Sequence, residues 1–252
     1  MATGTVTTNA AELLTREELH NRLLAVGESR YHHRHPFHLR MHEGQLTRGQ
    51  IQAWALNRYY YQSRIPIKDA LVLAKSDDPS FRRAWRKRIL DHDGDHDGYG
   101  GIEKWIQLAE ASGLSREQVL PCTGVLPGVR YAVDAYLALV RDNSLLVAVA
   151  SSLTELFSRN LISLRMDKMK VHYPYLVPGL AYFVGRLTQA PEDADFALDF
   201  VSTHAGTRAE QEQVIHALEQ KCAILWAQLD AIDYAYVVPG NIPPGSFVPV
   251  GE

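Results

Sequence analysis

Charged and titratable side chains interrupt the apolar faces of several predicted helices. His92 continues the face begun by Trp85, and Arg88 stands one turn before it. Lys221 occupies a core position in the last predicted helix, and Glu155 lies in a small, apolar stretch. An imidazole can carry protons near neutral pH, whereas a buried lysine or carboxylate needs a partner. The pattern indicates a polar pocket between helices; a satisfied core histidine and a lysine that reaches solvent are the structural alternatives.

Two further pairs share a helix face at a spacing of four residues. Tyr182 and Arg186 form one pair; Arg58 and Gln62 form the other, with Tyr61 adjacent. Each pair taken alone is more typical of a helix surface than of a site. The guanidinium groups are of interest because their fork suits a carboxylate.

The segment 31–38 holds four histidines around Pro36. Proline disfavours helical geometry in the preceding residue, so a turn is predicted here. Such a tract could bind a metal ion, but the choice of ligands would be arbitrary. We favour a loop that supplies one or two histidines to the pocket.

The other metal and phosphate motifs are incomplete. The segment 91–98 matches the first half of an EF-hand, but Lys104 stands where the closing carboxylate is required. A di-iron bundle needs two Glu-x-x-His elements, and we find one, from Glu17 to His20. There is no glycine-rich phosphate loop, and the basic run 82–88 is typical of a solvated helix face. These motifs therefore predict no calcium site, no di-iron site and no nucleic-acid interface.

Helical periodicity extends over nearly the whole chain, and sustained strand alternation is missing. Pro66 should kink or break one helix, Ala190–Pro191 should open another, and 129–171 must hold at least two. We predict an all-α fold, a compact helical bundle of about seven helices, with a flexible segment 1–14, a single all-helical catalytic domain 15–236 and a Pro/Gly-rich tail or linker 237–252. Capping signals predict helix starts at Thr15, Thr47, Asp78, Ser115 and Thr207.

Composition narrows the class of protein. The chain has 252 residues, 46% of them hydrophobic, a net charge of −3 and a pI near 6.4. These values exclude a globally disordered chain and argue against a protein that coats nucleic acid. Cys122 and Cys222 are too few for a disulfide framework. With no signal peptide and no apolar stretch of membrane-spanning length, the nearest being 145–153, we expect a cytoplasmic protein without a membrane partner.

Taken together, these residues resemble the pyrroloquinoline-quinone (PQQ) synthase family. The resemblance covers nearly the whole chain, from about Glu18 to Tyr236. No single stretch is specific, but the set is. The matching stretches are 31–32 with 35–36, 57–62, 65–70, 88–94, 133–136, 151–157, and Lys221 with 224–226.

The resemblance implies a haem-oxygenase-like fold and a homodimer. Members of the family close a ring on a bicyclic, amino-acid-derived quinone that bears carboxylates, and they oxidise it by eight electrons to PQQ. Dioxygen is the oxidant and becomes hydrogen peroxide, and the family uses neither a metal nor an organic cofactor. The implied partners are a small anionic quinone and, as a further candidate, the carrier protein of the PQQ pathway.

Catalytic roles are carried over from matching positions in the family. His92 would be the main proton carrier, with a pKa close to its unperturbed value of about 6.5. Tyr182 and Arg186 would stabilise negative charge on bound oxygen or peroxide. Lys221 and Glu155 complete the catalytic set, and Glu155 should hold a pocket cation while the site is empty.

The family also implies a set of substrate-binding residues. Arg58, Arg165 and Lys221 match positions that hold carboxylates, with Arg88 beside them. Ile162 departs from the pattern, because some members carry a pocket histidine there, so His92 or His32 must suffice for proton transfer. The remaining pocket positions are His32, Tyr61, Gln62, Tyr136 and Thr154.

Other functions of the same fold remain open at this point. A thiaminase-type hydrolase would need a cysteine nucleophile, and Cys222 is next to Lys221 but turned about 100° away on an ideal helix. A haem-binding protein would use one histidine as an axial ligand. A non-catalytic PQQ-binding protein would bind the product without forming it.

Overall fold

The computed structural model describes residues 12–250. Most of the predicted flexible segment 1–14 and the last two residues of the predicted tail lie outside the described residues. Within 12–250 there are twelve α-helices, three 3₁₀ segments and no strand. The helices are α1 (Arg16–Arg30), α2 (Pro36–His42), α3 (Arg48–Leu73), α4 (Pro79–Trp85), α5 (Lys87–Asp93), α6 (Gly100–Ser112), α7 (Arg116–Val119), α8 (Pro127–Asp142), α9 (Leu145–Ala150), α10 (Ser158–His172), α11 (Ala181–His204) and α12 (Arg208–Tyr236). The 3₁₀ segments are His32–Arg34, Leu153–Phe157 and Pro174–Gly179.

The long helices form the bundle and the short ones connect them. Helices α1, α3, α6, α8, α10, α11 and α12 each have at least 13 residues. The prediction of an all-α fold is therefore confirmed, and about seven is the number of long helices in the described part. The capping signals are confirmed too: Thr15, Thr47, Ser115 and Thr207 form capping boxes, and Asp78 caps α4.

Both proline predictions were wrong in part. Pro66 lies inside α3, which continues to Leu73, and Pro191 lies inside α11 rather than at a helix start. In each case buried residues continue on the same face beyond the proline. Packing on both sides holds the helix together although one backbone N–H is missing.

The helix that carries His92 is shorter than predicted. Phe81 and Trp85 are buried in α4, but α4 ends before Arg86, and α5 begins at Lys87. Within α5, His92 still follows Arg88 by one turn, and both are buried. The prediction that Arg88 and His92 lie on one buried helix face is therefore confirmed, although the helix is interrupted at Arg86.

Helices α3 and α12 cross the centre of the molecule. Helix α3 packs against α5, α6 and α8, and α12 packs against α1, α8 and α9. One hydrophobic core runs through them, with the Trp54 and Trp105 rings in edge contact 5.2 Å apart. The polar pocket opens within this framework, between α3, α5, α10 and α11.

The stretch Leu145–His172 corrects the prediction that no segment reaches membrane-spanning length. By length and composition it could cross a membrane, yet 61% of its most apolar part is buried inside the protein. It consists of α9, a 3₁₀ segment and α10, which all contribute to the core. This burial is typical of the core of a soluble protein.

The segment after α12 folds back onto the bundle. The Phe247 N–H donates to the Gly124 carbonyl at 2.8 Å, and the Tyr236 hydroxyl donates to the Phe247 carbonyl at 2.8 Å. Pro249 lies against Gly49, at the start of α3. Residues 237–250 therefore lie over the surface at the ends of α3 and α12.

Candidate active site

A pocket of about 860 Å³, counted with its opening, lies inside the bundle. Helices α3, α5, α10 and α11 supply most of its charged side chains. The predicted site residues that line it are His32, Arg58, Tyr61, Gln62, Arg88, His92, Tyr136, Thr154, Glu155, Arg165, Tyr182 and Arg186.

Lys221 is the predicted site residue that does not line the pocket. It is 1% exposed, its Nζ donates to the Tyr61 hydroxyl at 2.8 Å, and Nζ lies 3.1 Å from the centre of the Tyr136 ring. Burial, with Arg58 nearby, lowers its pKa well below the usual value for lysine. Lys221 therefore lies behind Tyr61 and Tyr136 and supports the pocket wall.

His92 is held in one tautomer by the backbone. Its Nδ1 is 3.0 Å from the Arg88 carbonyl oxygen, which can only accept, so Nδ1 carries the proton and Nε2 has a free lone pair. Burial first, and then Arg186, lower the pKa of His92 to about 4. The expectation of an unperturbed imidazole is therefore wrong, because His92 is neutral at pH 7 and can act as a proton acceptor.

Four charged residues form what we call the ion-paired cluster: Arg88, Glu155, Arg186 and Asp193. Arg186 lies 2.8 Å from Glu155 and 3.3 Å from Asp193, and Arg88 lies 3.1 Å from Asp193. Burial opposes the charge of Arg186, but Glu155 outweighs it and raises the pKa of Arg186. The same attraction overcomes the burial of Glu155 and lowers its pKa. The prediction that Glu155 holds a pocket cation agrees with its ion pair with Arg186.

Three other cations have neutral partners only, and we call Arg58, Arg165 and Lys221 the carboxylate-free cations. Arg58 donates to Gln228 at 3.3 Å and lies over the Tyr61 ring, 3.9 Å from its centre. Arg165 approaches the His38 ring at 3.0 Å, and burial lowers its pKa to about 10. Within residues 12–250 none of the three forms an ion pair.

Tyr182 on α11 forms a hydrogen bond with Gln62 on α3, the two helices that carry the residue pairs noted in the sequence. Its hydroxyl donates to Gln62 at 3.1 Å, and its ring meets the Trp105 ring edge-on at 5.0 Å. Both sequence pairs, Tyr182 with Arg186 and Arg58 with Gln62, line the pocket. Spacing alone favoured a helix surface for each pair, whereas the pocket position that the family resemblance implied for these four residues agrees with the structure.

Sequence reasoning missed three charged residues of the lining. Lys68 and Asp69 come seven residues after Tyr61 and Gln62, two turns along α3, so helical spacing could have found them. The Lys68 ammonium pairs with Asp69, whose Oδ1 accepts from the Trp85 indole at 2.9 Å.

Asp193 comes seven residues after Arg186 on α11. The predicted helix start at Pro191 placed it on a different helix and concealed this relation.

The pocket lining carries more positive than negative charge. Its cationic residues are Arg58, Lys68, Arg88, Arg165 and Arg186, and its carboxylates are Asp69, Glu155 and Asp193. Five cations against three carboxylates leave an excess of two positive charges, in a chain whose net charge is −3. The site is therefore suited to an anionic ligand.

Among the described residues, no group of three His, Cys, Asp or Glu side chains is placed to hold a metal ion. His32 and His38 contact each other, and His35 contacts Asp230. Of the histidines in segment 31–38, His32 is the one that lines the pocket. Neither Cys122 nor Cys222 lines it, and burial raises the pKa of Cys222 to about 12. A reactive thiol would need the opposite shift.

The family model of the TENA/THI-4/PQQC family matches residues 20–231. The chain belongs to this family. Two relatives are described as pyrroloquinoline-quinone synthase. The one from Gluconobacter oxydans is 54% identical over 94% of this chain and 99% of its own length. The one from Acidiphilium cryptum is 55% identical over 93% of this chain and 96% of its own.

A further relative is a longer protein. The bifunctional coenzyme PQQ synthesis protein C/D of Methylorubrum extorquens is 53% identical over 94% of this chain, which covers 64% of that relative.

Solved structures show the same fold at low sequence identity. A domain from Shewanella denitrificans with a heme oxygenase-like fold superimposes with a TM-score of 0.74 at 14% identity, covering 94% of this chain and 100% of that domain. A TenA homologue from Pseudomonas syringae has a TM-score of 0.68 at 12% identity, with 90% and 99% covered. The predicted haem-oxygenase-like fold is thus confirmed.

Proposed function

We propose that this chain is a pyrroloquinoline-quinone synthase. It closes a ring on a bicyclic quinone precursor and oxidises the product by eight electrons to PQQ, with dioxygen as the acceptor. The name of the relatives that are 54–55% identical over nearly the full length supports this activity. The observation on which the substrate class depends is the positive excess of the pocket, which fits a ligand with several carboxylates.

His92 would remove protons from the substrate. Its Nε2 is the free acceptor of a neutral imidazole, and an anionic substrate would raise the lowered pKa and favour the protonated form. The electron-rich substrate anion supplies the electrons, and each dioxygen reduced to hydrogen peroxide takes up two electrons and two protons. Arg186 and Tyr182 line the pocket and would stabilise the reduced oxygen species as hydrogen-bond donors, with the Tyr182 hydroxyl turning from Gln62 to do so.

The reaction is proposed to need no metal and no organic cofactor, because the substrate itself reduces dioxygen. The chain is proposed to act as a cytoplasmic homodimer. A functional contact with the carrier protein of the pathway is supported by the Methylorubrum extorquens relative, in which the part matched here is joined to a further part.

The test is the conversion of the quinone precursor by the purified protein under air. We expect PQQ, measured by chromatography, and hydrogen peroxide, measured with a peroxidase-coupled dye; an oxygen-free sample is the control. Dialysis against a strong chelator should leave the yield unchanged. His92→Ala should bind the precursor but stop at a partly oxidised, coloured intermediate. If no PQQ forms under air, the proposed function is wrong.

A further inference from the structure

Behind the pocket wall, His38 connects two pocket residues through hydrogen bonds. It lies in α2, is buried, and is not part of the pocket lining in the described structure. Nη2 of Arg165 lies 3.0 Å from Nε2 of His38 and 3.2 Å from its Nδ1. Nδ1 of His38 lies 2.9 Å from the His32 carbonyl oxygen and 3.1 Å from Nδ1 of His32. His38 thus joins a carboxylate-free cation to a pocket imidazole.

These contacts determine where the protons of both imidazoles lie. A carbonyl oxygen can only accept, so Nδ1 of His38 carries a proton and donates it toward His32. A guanidinium can only donate, so Arg165 donates to the free lone pair on Nε2 of His38. The single Nδ1–H of His38 is shared between this carbonyl and Nδ1 of His32 at 3.1 Å, and a second N–H facing it would be repelled, so Nδ1 of His32 is the acceptor. The proton of a neutral His32 is therefore on Nε2.

The surroundings keep both imidazoles neutral. Burial and then Arg58 and Arg165 lower the pKa of His32 well below its usual value. Burial and then Arg165 do the same to the pKa of His38. A neutral histidine can be a donor at one nitrogen only, so its tautomer decides what it offers to a ligand.

We propose that His38 is a positioning residue that fixes the proton of His32 on Nε2, so that His32 presents an N–H donor to an oxygen of the bound anion, and that it holds Arg165 in the pocket wall. His92 has the opposite arrangement, with Nδ1 protonated and Nε2 accepting. The pocket then contains one imidazole that donates and one that accepts. The identity of the anion as PQQ rests on the proposed function.

The first test leaves His38 unchanged and reads the His32 tautomer directly. In protein with ¹⁵N-labelled histidine, multiple-bond ¹H–¹⁵N spectra distinguish the two neutral tautomers, and loss of the signals in His32→Gln assigns them. We expect His32 in the Nε2–H form at pH 7. A His32 in the Nδ1–H form, or a charged His32, would overturn the proposal.

The second test uses two substitutions at one position. Leucine at 38 removes both contacts, whereas glutamine can accept from Arg165 and donate toward His32 through one amide. His38→Leu should shift the His32 tautomer and weaken PQQ binding by at least about tenfold. This is the change in affinity expected when one charge-assisted hydrogen bond is lost. His38→Gln should remain within about threefold of the wild type. Equal losses in both variants, or none in either, would contradict the role.

His42→Leu is the matched control. His42 lies one turn further along α2, is buried, and its Nε2 has no partner among the described residues. PQQ affinity should be unchanged in this variant. If His38→Leu fails to fold, the wild-type His32 tautomer and the PQQ affinity of His38→Gln still test the positioning role. If wild-type protein does not bind PQQ, the proposed function fails, while the His32 tautomer still tests the positioning role.

Discussion

The ion-paired cluster and the carboxylate-free cations satisfy buried positive charge in opposite ways. Arg186 is held by Glu155 and Asp193, and these carboxylates raise its pKa. Arg165 has a neutral imidazole as its partner, and burial lowers its pKa to about 10. A buried charge without a counter-charge is costly unless a ligand supplies one. We infer that the ion-paired cluster is complete without substrate, and that Arg58, Arg165 and Lys221 await its carboxylates.

The largest effect is expected on stability. Arg186→Met leaves Glu155 and Asp193 without their shared cation and should lower the free energy of unfolding by about 3–5 kcal/mol. Arg165→Met removes a cation that has no carboxylate, so the change should be less than about 1 kcal/mol. Urea unfolding of both variants measures the difference. Equal losses of unfolding free energy in the two variants would mean that Arg186 does not depend on its carboxylate partners more than Arg165 depends on its neutral ones.

The next effect is expected on ligand affinity. Arg58→Met and Arg165→Met should each weaken PQQ binding by about 1.5–3 kcal/mol, the value of a hydrogen bond to a charged group. Fluorescence titration measures the affinity. Arg40→Met is the control, because Arg40 pairs with Asp233 and does not line the pocket. Unchanged affinity in both pocket variants would remove Arg58 and Arg165 from carboxylate binding.

A smaller effect is expected in the pH dependence of stability. The pKa of His92 is about 4 in the folded protein against 6.5 for a free histidine, so between these pH values the unfolded chain binds more protons. Stability should therefore rise with pH in this window, and His92→Asn should remove about 2 kcal/mol of that rise.

Urea unfolding at pH 4.5 and 7 measures the rise, with the exposed His216→Asn as the matched control. A wild-type slope in His92→Asn would show that His92 does not titrate in this window.

The sequence was most informative where local chemistry decides the structure. The capping boxes at Thr15, Thr47 and Thr207 are local hydrogen bonds, and they were predicted at the correct residues. Pro66 and Pro191 were misjudged because packing from distant residues keeps α3 and α11 intact.

The pocket residues also divide into those that local spacing predicts and those whose position depends on packing. The spacing of Arg88 and His92 identified a buried pair, and the resemblance supplied most of the remaining lining. The position of Lys221 behind Tyr61, and the lowered pKa of His92, depend on how helices pack and could not be obtained from spacing.

A crystal structure with PQQ bound tests the central inference most directly. It should show ligand carboxylates within hydrogen-bond distance of Arg58 and Arg165, with Tyr61 shifted so that Lys221 reaches one of them, and Glu155 still paired with Arg186. The inference would be contradicted by a carboxylate that replaces Glu155 on Arg186 while Arg58 and Arg165 keep their partners Gln228 and His38.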